Sequence, residues 1–452
     1  MKQTQNFTEG KIFIPLLRFS LPVLMALFLQ TMYGAVDLLI VGQFGTSTDV
    51  SAVATGSMVM HTVTVVITGL AMGLTVLVGR KIGEGRKEEA GKIIGSGIWL
   101  FGVLALAVSV LMAVFAPFLA QVMHAPPEAF RKTVSYITIC SAGAVFIVAY
   151  NLVGSIFRGI GDSSMPLVTV AIACVLNIIS DLALVAGLHM GTAGAAAATV
   201  LAQAVSVALS VIIIRRRTLP FSFHKKDIRP RSAYIRQLLF LGTPIALQDL
   251  LVNISFLAIT AIVNSLGLTA SAGVGVAEKL CGFVMLVPSS YMQAMSAFVA
   301  QNIGAGKAKR ARKALLCGIA SSLAAGILMG YLTFFHGDLL AGLFAKDAAV
   351  IAAAYEYLKA YAIDCLLTSF LFCFIGYFNG TGNTVFVMAQ GIIGAFGVRL
   401  PVSFFVSHQA GAGLFHIGLA TPASSLVQII LCGVYFTLQF AGKGKGDSYC
   451  KY

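Results

Sequence analysis

Apolar stretches long enough to cross a lipid bilayer recur from one end of this sequence to the other, and no other feature restricts the fold as much. A hydrocarbon core roughly 30 Å thick needs about 20 apolar residues in a helix. Each stretch is read as a helix because a helix satisfies its own backbone hydrogen bonds where no water is present. Twelve lie near residues 12–44, 50–79, 93–121, 131–157, 164–188, 192–214, 235–266, 269–300, 314–341, 350–377, 385–407 and 413–440. Composition agrees: 58% of the 452 residues are hydrophobic and 11% charged, where a soluble domain carries about a quarter charged.

A formal charge of +14 raises the question of nucleic acid, and the placement of the basic residues answers it. With the N-terminus in the cytoplasm, Lys2, Lys11 and Arg18, the loop residues Arg80 to Lys92, Arg158, the run Arg215 to Arg236, the run Lys307 to Lys313, and Lys443, Lys445 and Lys451 all fall inside. Only Arg131, Lys132, Lys346 and Lys359 fall outside, and Lys279 and Arg399 sit within spans. That skew follows the positive-inside rule, sets both termini in the cytoplasm and leaves no nucleic-acid footprint. The expected location is the bacterial inner membrane, crossed many times. The polar segment Met1 to Gly10 leads straight into a span too long for a signal-peptide core, so no cleaved leader is expected. The cysteines, among them Cys140, Cys174, Cys281 and Cys373, lack metal or redox spacing and read as small packing residues.

The chain is written twice. A shift of 221 or 222 residues sets Pro22 on Pro244, Val41 and Gly45 on Val263 and Gly267, Gly83 on Gly304, Tyr136 on Tyr357, and the turn Arg158 to Asp162 on Asn379 to Asn383. Six spans per repeat give both halves one orientation, so a pseudo-twofold axis along the membrane normal relates them. The expected fold is an all-α integral membrane protein of two six-helix lobes, residues 1–222 and 223–452. The basic stretch around 215–236 is read as their connector.

Ionisable side chains inside a span are costly and mark a pathway or a buried pair. Asp37, Asp181, Asp249, Glu278 and Asp364 qualify. Asn177 and Asp181 share a helix face at i,i+4, as do Gln30, Tyr33 and Asp37 along the first span and Thr199 and Gln203 along the sixth. Depth agrees as well. Asp37 and Asp181 each stand about seven residues from an outer helix end, as does Thr199, which puts all three roughly 10 Å deep. Two carboxylates, an amide and a hydroxyl suit either Na⁺ or a proton.

The second half is no copy here, since Ile259 stands near the Asp37 position and Val398 and Val402 near those of Asn177 and Asp181. It offers Tyr357, Tyr361, Asp364 and Thr368 as one stripe, with Gln248, Asp249 and Asn253 on the seventh span. With Gln30, Tyr33, Gln203 and Glu278 these are the expected lining of a cavity for cationic, aromatic molecules. Glu278 is expected to pair with the adjacent Lys279, and Arg399 with an acid of the second half.

The motifs Tyr33 to Gly42 (YGAVDLLIVG), Arg158-Gly159-x-Gly161-Asp162 with Pro166, Asn177 to Asp181 (NIISD), Gly191 to Thr199 (GTAGAAAAT) and Gln301 to Ala305 (QNIGA) resemble those of the multidrug and toxic compound extrusion (MATE) transporters. The resemblance covers nearly the whole chain and is nearest to the DinF-like branch. It implies export of cationic, amphipathic drugs by antiport with H⁺ or Na⁺, with Asp37, Asn177, Asp181 and Thr199 as the cation-coupling site. The seven histidines make no metal motif, so neither catalysis nor a cofactor beyond the coupling ion is expected, and the chain is expected to be a monomer whose partners are small organic cations and the lipid bilayer. The positions of the C-lobe acids used in the NorM-like branch hold Val252 and Thr368, with Asn253 and Asp364 nearby. The rival function, a flippase for lipid-linked oligosaccharide precursors, needs several basic groups in the cavity, and only Lys279 and Arg399 lie within spans.

Overall fold

The computed structural model describes residues 7–216, 219–221, 223–409, 411 and 413–441. Lys2, Arg217, Lys443, Lys445 and Lys451 lie outside these, as do the first six residues of the polar N-terminal segment and Arg217, Thr218 and Ser222 of the connector. Eleven helical segments are long and apolar enough to cross a membrane, or twelve when one bent pair counts as a span.

In the first half these are α1 (Phe13–Phe44), α2 (Ser47–Gly83), α3 (Lys87–Val114), the pair α4 (Pro127–Ala142) and α5 (Ala144–Gly159), α6 (Ser164–Asp181) and α7 (Gly191–Arg216). The second half has α8 (Ser232–Asn264), α9 (Leu268–Val284), α10 (Leu286–Gly304), α11 (Ala308–Phe335), α12 (Ala348–Thr381), α13 (Thr384–Ile392), α14 (Leu400–Ser407) and α15 (Ala420–Ala441). Helices α9 and α10 together make one span, as do α13 and α14. The twelve stretches expected from sequence all have their counterparts. A feature hidden from the hydropathy pattern is the 52° bend between α4 and α5. It falls at Gly143, where a side chain would run into Val200 of α7.

The helices pack as two compact units. One takes in the described residues of Met1–Leu250 with Gln293–Ala314 and Asn379–Thr384; the other takes in those of Leu251–Met292, Leu315–Phe378 and Val385–Tyr452. In the first, an apolar core from Ile40, Val41, Leu74, Val78, Ile93, Leu152 and Phe157 lies between helices α1 to α7. One end of it is tied by Asp49, which ion-pairs with Lys132 of α4 at 2.8 Å and accepts from the Thr192 hydroxyl of α7 at 2.7 Å and the Thr46 amide at 3.0 Å. Lys132, an exception to the charge skew, thus has a structural partner.

At the other end of the first unit the repeat is visible in atomic detail. A Cβ on Gly83 would collide with the carbonyl oxygen of Gln301, and a Cβ on Gly304 with that of Arg80. The two glycines hold equivalent repeat positions, as do Arg80 and Gln301, so each chain segment grips the other in the same way. Arg80 adds a hydrogen bond to the Thr381 carbonyl at 3.0 Å, and Gln301 one to the Gly159 carbonyl at 2.9 Å. The segment before α1 is held here too: Arg310 donates to the carbonyls of Phe7, Glu9 and Gly10 at 2.9, 2.8 and 2.6 Å and lies 5.6 Å over the Phe298 ring, and the buried Phe7 ring packs on both Phe298 and Phe19. Part of the basic run Lys307 to Lys313 therefore binds backbone.

In the second unit the core is built from Ile259, Val263, Val274, Leu280, Tyr357, Leu358 and Tyr361. Aromatic rings stack along its helices, with Phe386 on Tyr435 at 3.8 Å and Phe378 edge-on to both.

Candidate functional site

The residues expected at the coupling site meet in the first unit, and local sequence explains how. Small residues let α7 approach α6: Ala195, Ala196 and Ala198 are fully buried, and close backbone approach at small residues is how helices associate in lipid. Thr199 follows directly on this run and donates its hydroxyl to Asp37 Oδ2 of α1 at 3.1 Å. Asn177 and Asp181, one turn apart on α6, both turn inward and are 1% and 0% exposed. Asp181 is the last residue of α6, and the helix widens immediately after it into a π-helical turn, Leu182–Gly187. Such wide turns in helices gather at functional sites.

Asp181, Thr199 and Asn177 all lie within interacting reach of the Asp37 carboxyl. Only the Thr199 bond is made. Asp37 Oδ1, both carboxyl oxygens of Asp181 and both polar atoms of the Asn177 amide are shut off from solvent and lack hydrogen-bond partners. Buried polar atoms normally find partners, and leaving them bare costs about 1–3 kcal/mol each, more when charged. Two bare carboxylates within reach of each other would also repel. A proton shared between them, or a cation such as Na⁺ held by the carboxyl, amide and hydroxyl oxygens, would relieve both penalties. The donor set fits either.

Beside this cluster lies a cavity of about 20 Å³ lined by Gln30, Tyr33, Tyr150, Asn177, Thr199 and Gln203. It has room for about one water or a bare ion. The structure thus joins Gln30, Tyr33 and Gln203 to the acid site. Tyr150 was not singled out by sequence, because an aromatic residue in an apolar run carries no polar signal. Next to it in the sequence stands Asn151, whose Oδ1 accepts from Thr68 at 3.0 Å. A buried amide next to a tyrosine was the available cue.

Gln248, Asp249 and Asn253 lie on α8 where it passes from the first unit to the second, with Gln248 buried. Glu278, Tyr357, Tyr361, Asp364 and Thr368 belong to the second unit. There the Tyr357 and Tyr361 rings stand 5.4 Å apart, and Asp364 is buried near Ser425 and Arg399. The Thr368 hydroxyl turns to its own helix and donates to the Asp364 carbonyl at 2.7 Å.

Two expected pairs differ from the sequence reading. Glu278 does not pair with Lys279 among the described residues, since consecutive positions leave a helix on different sides; it accepts from the Thr260 hydroxyl at 2.9 Å. Arg399 closes no ion pair with an acid within 4 Å among the described residues. It donates to Ser255 Oγ at 3.2 Å and lies 4.4 Å over the Phe256 ring, while remaining close enough to Asp364 to act on it electrostatically.

The family model described as MatE matches this chain twice, over residues 22–182 and 244–405. The second match begins 222 residues after the first, the offset at which Pro22 meets Pro244. Among curated relatives, the probable multidrug resistance protein YoeA of Bacillus subtilis (strain 168) is 24% identical over 98% of this chain and 96% of its own length. The multidrug export protein MepA of Staphylococcus aureus (strain MRSA252) is 23% identical over 91% of this chain and 90% of its own. Two solved structures share the fold at 20% identity. One is the outward-facing conformation of a multidrug resistance MATE family transporter of the MOP superfamily, with a TM-score of 0.91 over 98% of this chain and 99% of that one. The other is a MOP superfamily transporter from Pyrococcus furiosus, with a TM-score of 0.92 over 98% of this chain and 100% of that one.

Proposed function

Since the chain belongs to the MatE family, we propose that it is a secondary active exporter of cationic or amphipathic drugs, driven by the inward movement of H⁺ or Na⁺. The observation that carries this reading is the set of orphaned oxygens at Asp37, Asn177 and Asp181, with Thr199 bonded to Asp37. What sets it apart from other orphaned polar atoms of the chain is that two acids lie together with no basic group among the residues that face Asp37. Residues 1–222 and 223–452 act as the two repeat halves, both termini face the cytoplasm, and the protein works as a monomer in the bacterial inner membrane without catalysing a reaction.

Empty, the acid pair repels itself and favours any conformation that lets a cation in from outside. Once neutralised, the pair permits a conformation that is closed around it. Pro22, inside α1 and 15 residues before Asp37, has no N–H to give the helix ladder, which makes it the place where that helix can bend in response. Each cation that moves down a 100 mV potential delivers about 2.3 kcal/mol besides its concentration gradient. One or two would sustain a useful drug gradient. Each unit by itself offers groups that suit a cationic substrate: Gln30, Tyr33 and Gln203 beside the acid pair in the first, and Tyr357, Tyr361, Thr368 and Glu278 in the second, while Gln248, Asp249 and Asn253 stand on α8.

The test is export of a cationic dye by purified protein in proteoliposomes, with Na⁺ and pH gradients imposed separately. Uptake against the dye gradient under at least one of them is expected. Equal dye movement with and without any ion gradient would overturn antiport.

A further inference from the structure

We propose that the first unit carries a second site, centred on Arg158, that binds a small anion or the carboxylate of a larger molecule. The site is a cavity of about 50 Å³ whose polar wall is Gln30, Thr68, Tyr150, Asn151, Arg158 and Gln293. That wall contains one cationic side chain and no acid. Thr68 and Asn151 satisfy each other, and the Asn151 amide nitrogen donates to the Ile147 carbonyl. Arg158 is left over. Its Nε is shut off from solvent without a hydrogen-bond partner, and no acid among the described residues lies within 4 Å of it. The guanidinium folds back along α5 over Gly154, where a Cβ would come 3.2 Å from Nη1.

A simpler role is available, because Arg158 stands in the last turn of α5, where a positive charge suits the negative end of the helix dipole. That role accounts for the charge but not for an orphaned donor or for open volume beside it. Guanidinium offers five N–H donors in a plane and accepts nothing, so whatever fills the cavity against it must be an acceptor. Arg158 is half-buried and the wall beside it holds no acid, so a negative acceptor is favoured over water alone. The volume holds a chloride or a carboxylate, or a few waters, but not a whole drug.

The placement adds a reason for such a site in an exporter. Gln30 and Tyr150 line both this cavity and the one beside Asn177 and Thr199. The two cavities are thus neighbours of opposite character, one at the acid pair and one at a lone guanidinium. A carboxylate at Arg158 belongs either to a zwitterionic substrate or to a free anion from solution.

The experiment is thermal unfolding of the purified full-length protein at constant ionic strength in chloride, acetate or gluconate, the last too bulky for the cavity. Chloride and acetate should raise Tm saturably over gluconate in the wild type. In Arg158→Gln the half-saturating concentration should rise at least about tenfold, the loss of one strong charged contact. Gln293→Glu places an acid in the wall and keeps the guanidinium, so it should abolish the anion response without depending on whether Arg158→Gln folds. Equal anion shifts in wild type and Gln293→Glu would overturn the proposal.

Proteoliposome export of a carboxylate-bearing zwitterionic dye and its cationic methyl ester then separates the sources. Loss of the zwitterion alone in Gln293→Glu assigns a substrate carboxylate, and unchanged export of both, with the Tm response lost, assigns a free anion. A wild-type protein that moves neither dye would break the export reading while leaving the anion site decided by Tm.

Discussion

In the first unit, the groups that face Asp37 are an acid, an amide and a hydroxyl; in the second, Asp364 faces the Ser425 hydroxyl and feels the guanidinium of Arg399. Both acids are buried, at 5% and 2% exposed. A carboxylate with a resident cation nearby is partly neutralised by the protein itself, whereas two acids sharing a site need a visitor to do it. On the proposed reading the first unit's acids await an ion, whereas Asp364 has a cation of the fold within electrostatic reach, with no ion pair closed and one carboxyl oxygen unbonded. The repeat therefore supplies one frame, and its two copies put different chemistry into it.

The most direct way to break this comparison is to remove the acids one at a time. Asp37→Asn or Asp181→Asn should lower gradient-driven export at least about 100-fold, close to 2.7 kcal/mol, with the protein still present in the membrane. Asp364→Asn should stay within about threefold of wild type. Export assays on the three variants at matched expression check this. A collapse in Asp364→Asn with Asp37→Asn intact would move the coupling site to the second unit.

Much of this contrast was legible in the residues alone. The acids in spans stood out because burying charge is costly, and helical spacing with equal depth brought Asp37, Asn177, Asp181 and Thr199 together, as the Thr199 to Asp37 bond now illustrates. The span limits came from hydropathy and agree closely, because lipid imposes length and polarity on every helix at once. What stayed hidden depends on details that periodicity does not encode. The π-helical turn after Asp181 and the bend at Gly143 arise from local packing. The true partners of Glu278 and Arg399 lie on other helices, and Tyr150 looks like an ordinary member of an apolar run. Arg158 reads in the sequence as a turn residue and a positive charge; that it faces a cavity is a fact of three dimensions.

A second prediction asks whether the frame is as symmetric as the chemistry is not. Gly83 and Gly304 occupy matching positions and each lies against a carbonyl of the other's helix, with no room for a Cβ. Gly83→Ala and Gly304→Ala should therefore each destabilise the protein by about 1–3 kcal/mol, the usual cost of overpacking, and by similar amounts. Thermal unfolding in detergent measures both. A large loss in one and none in the other would show that the reciprocal grip is not shared equally.

The finest contrast is between two threonines. Thr199 spends its hydroxyl on the Asp37 carboxyl at 3.1 Å, across helices, while Thr368 spends its own on the Asp364 carbonyl at 2.7 Å, within one helix. Valine keeps the shape of threonine and removes only the hydroxyl. In Thr199→Val the acid pair loses its one formed hydrogen bond and a ligand for the visiting ion, so the ion concentration that half-drives export should rise about three- to tenfold, the worth of one hydrogen bond to a charged group, with the maximal rate little changed. In Thr368→Val the carbonyl keeps its place in the helix ladder and the acid's oxygens are untouched, so the same measurement should move less than about twofold. If both variants shift alike, hydroxyls in spans matter through packing, and the special standing of the first unit's site must rest on its carboxylates alone.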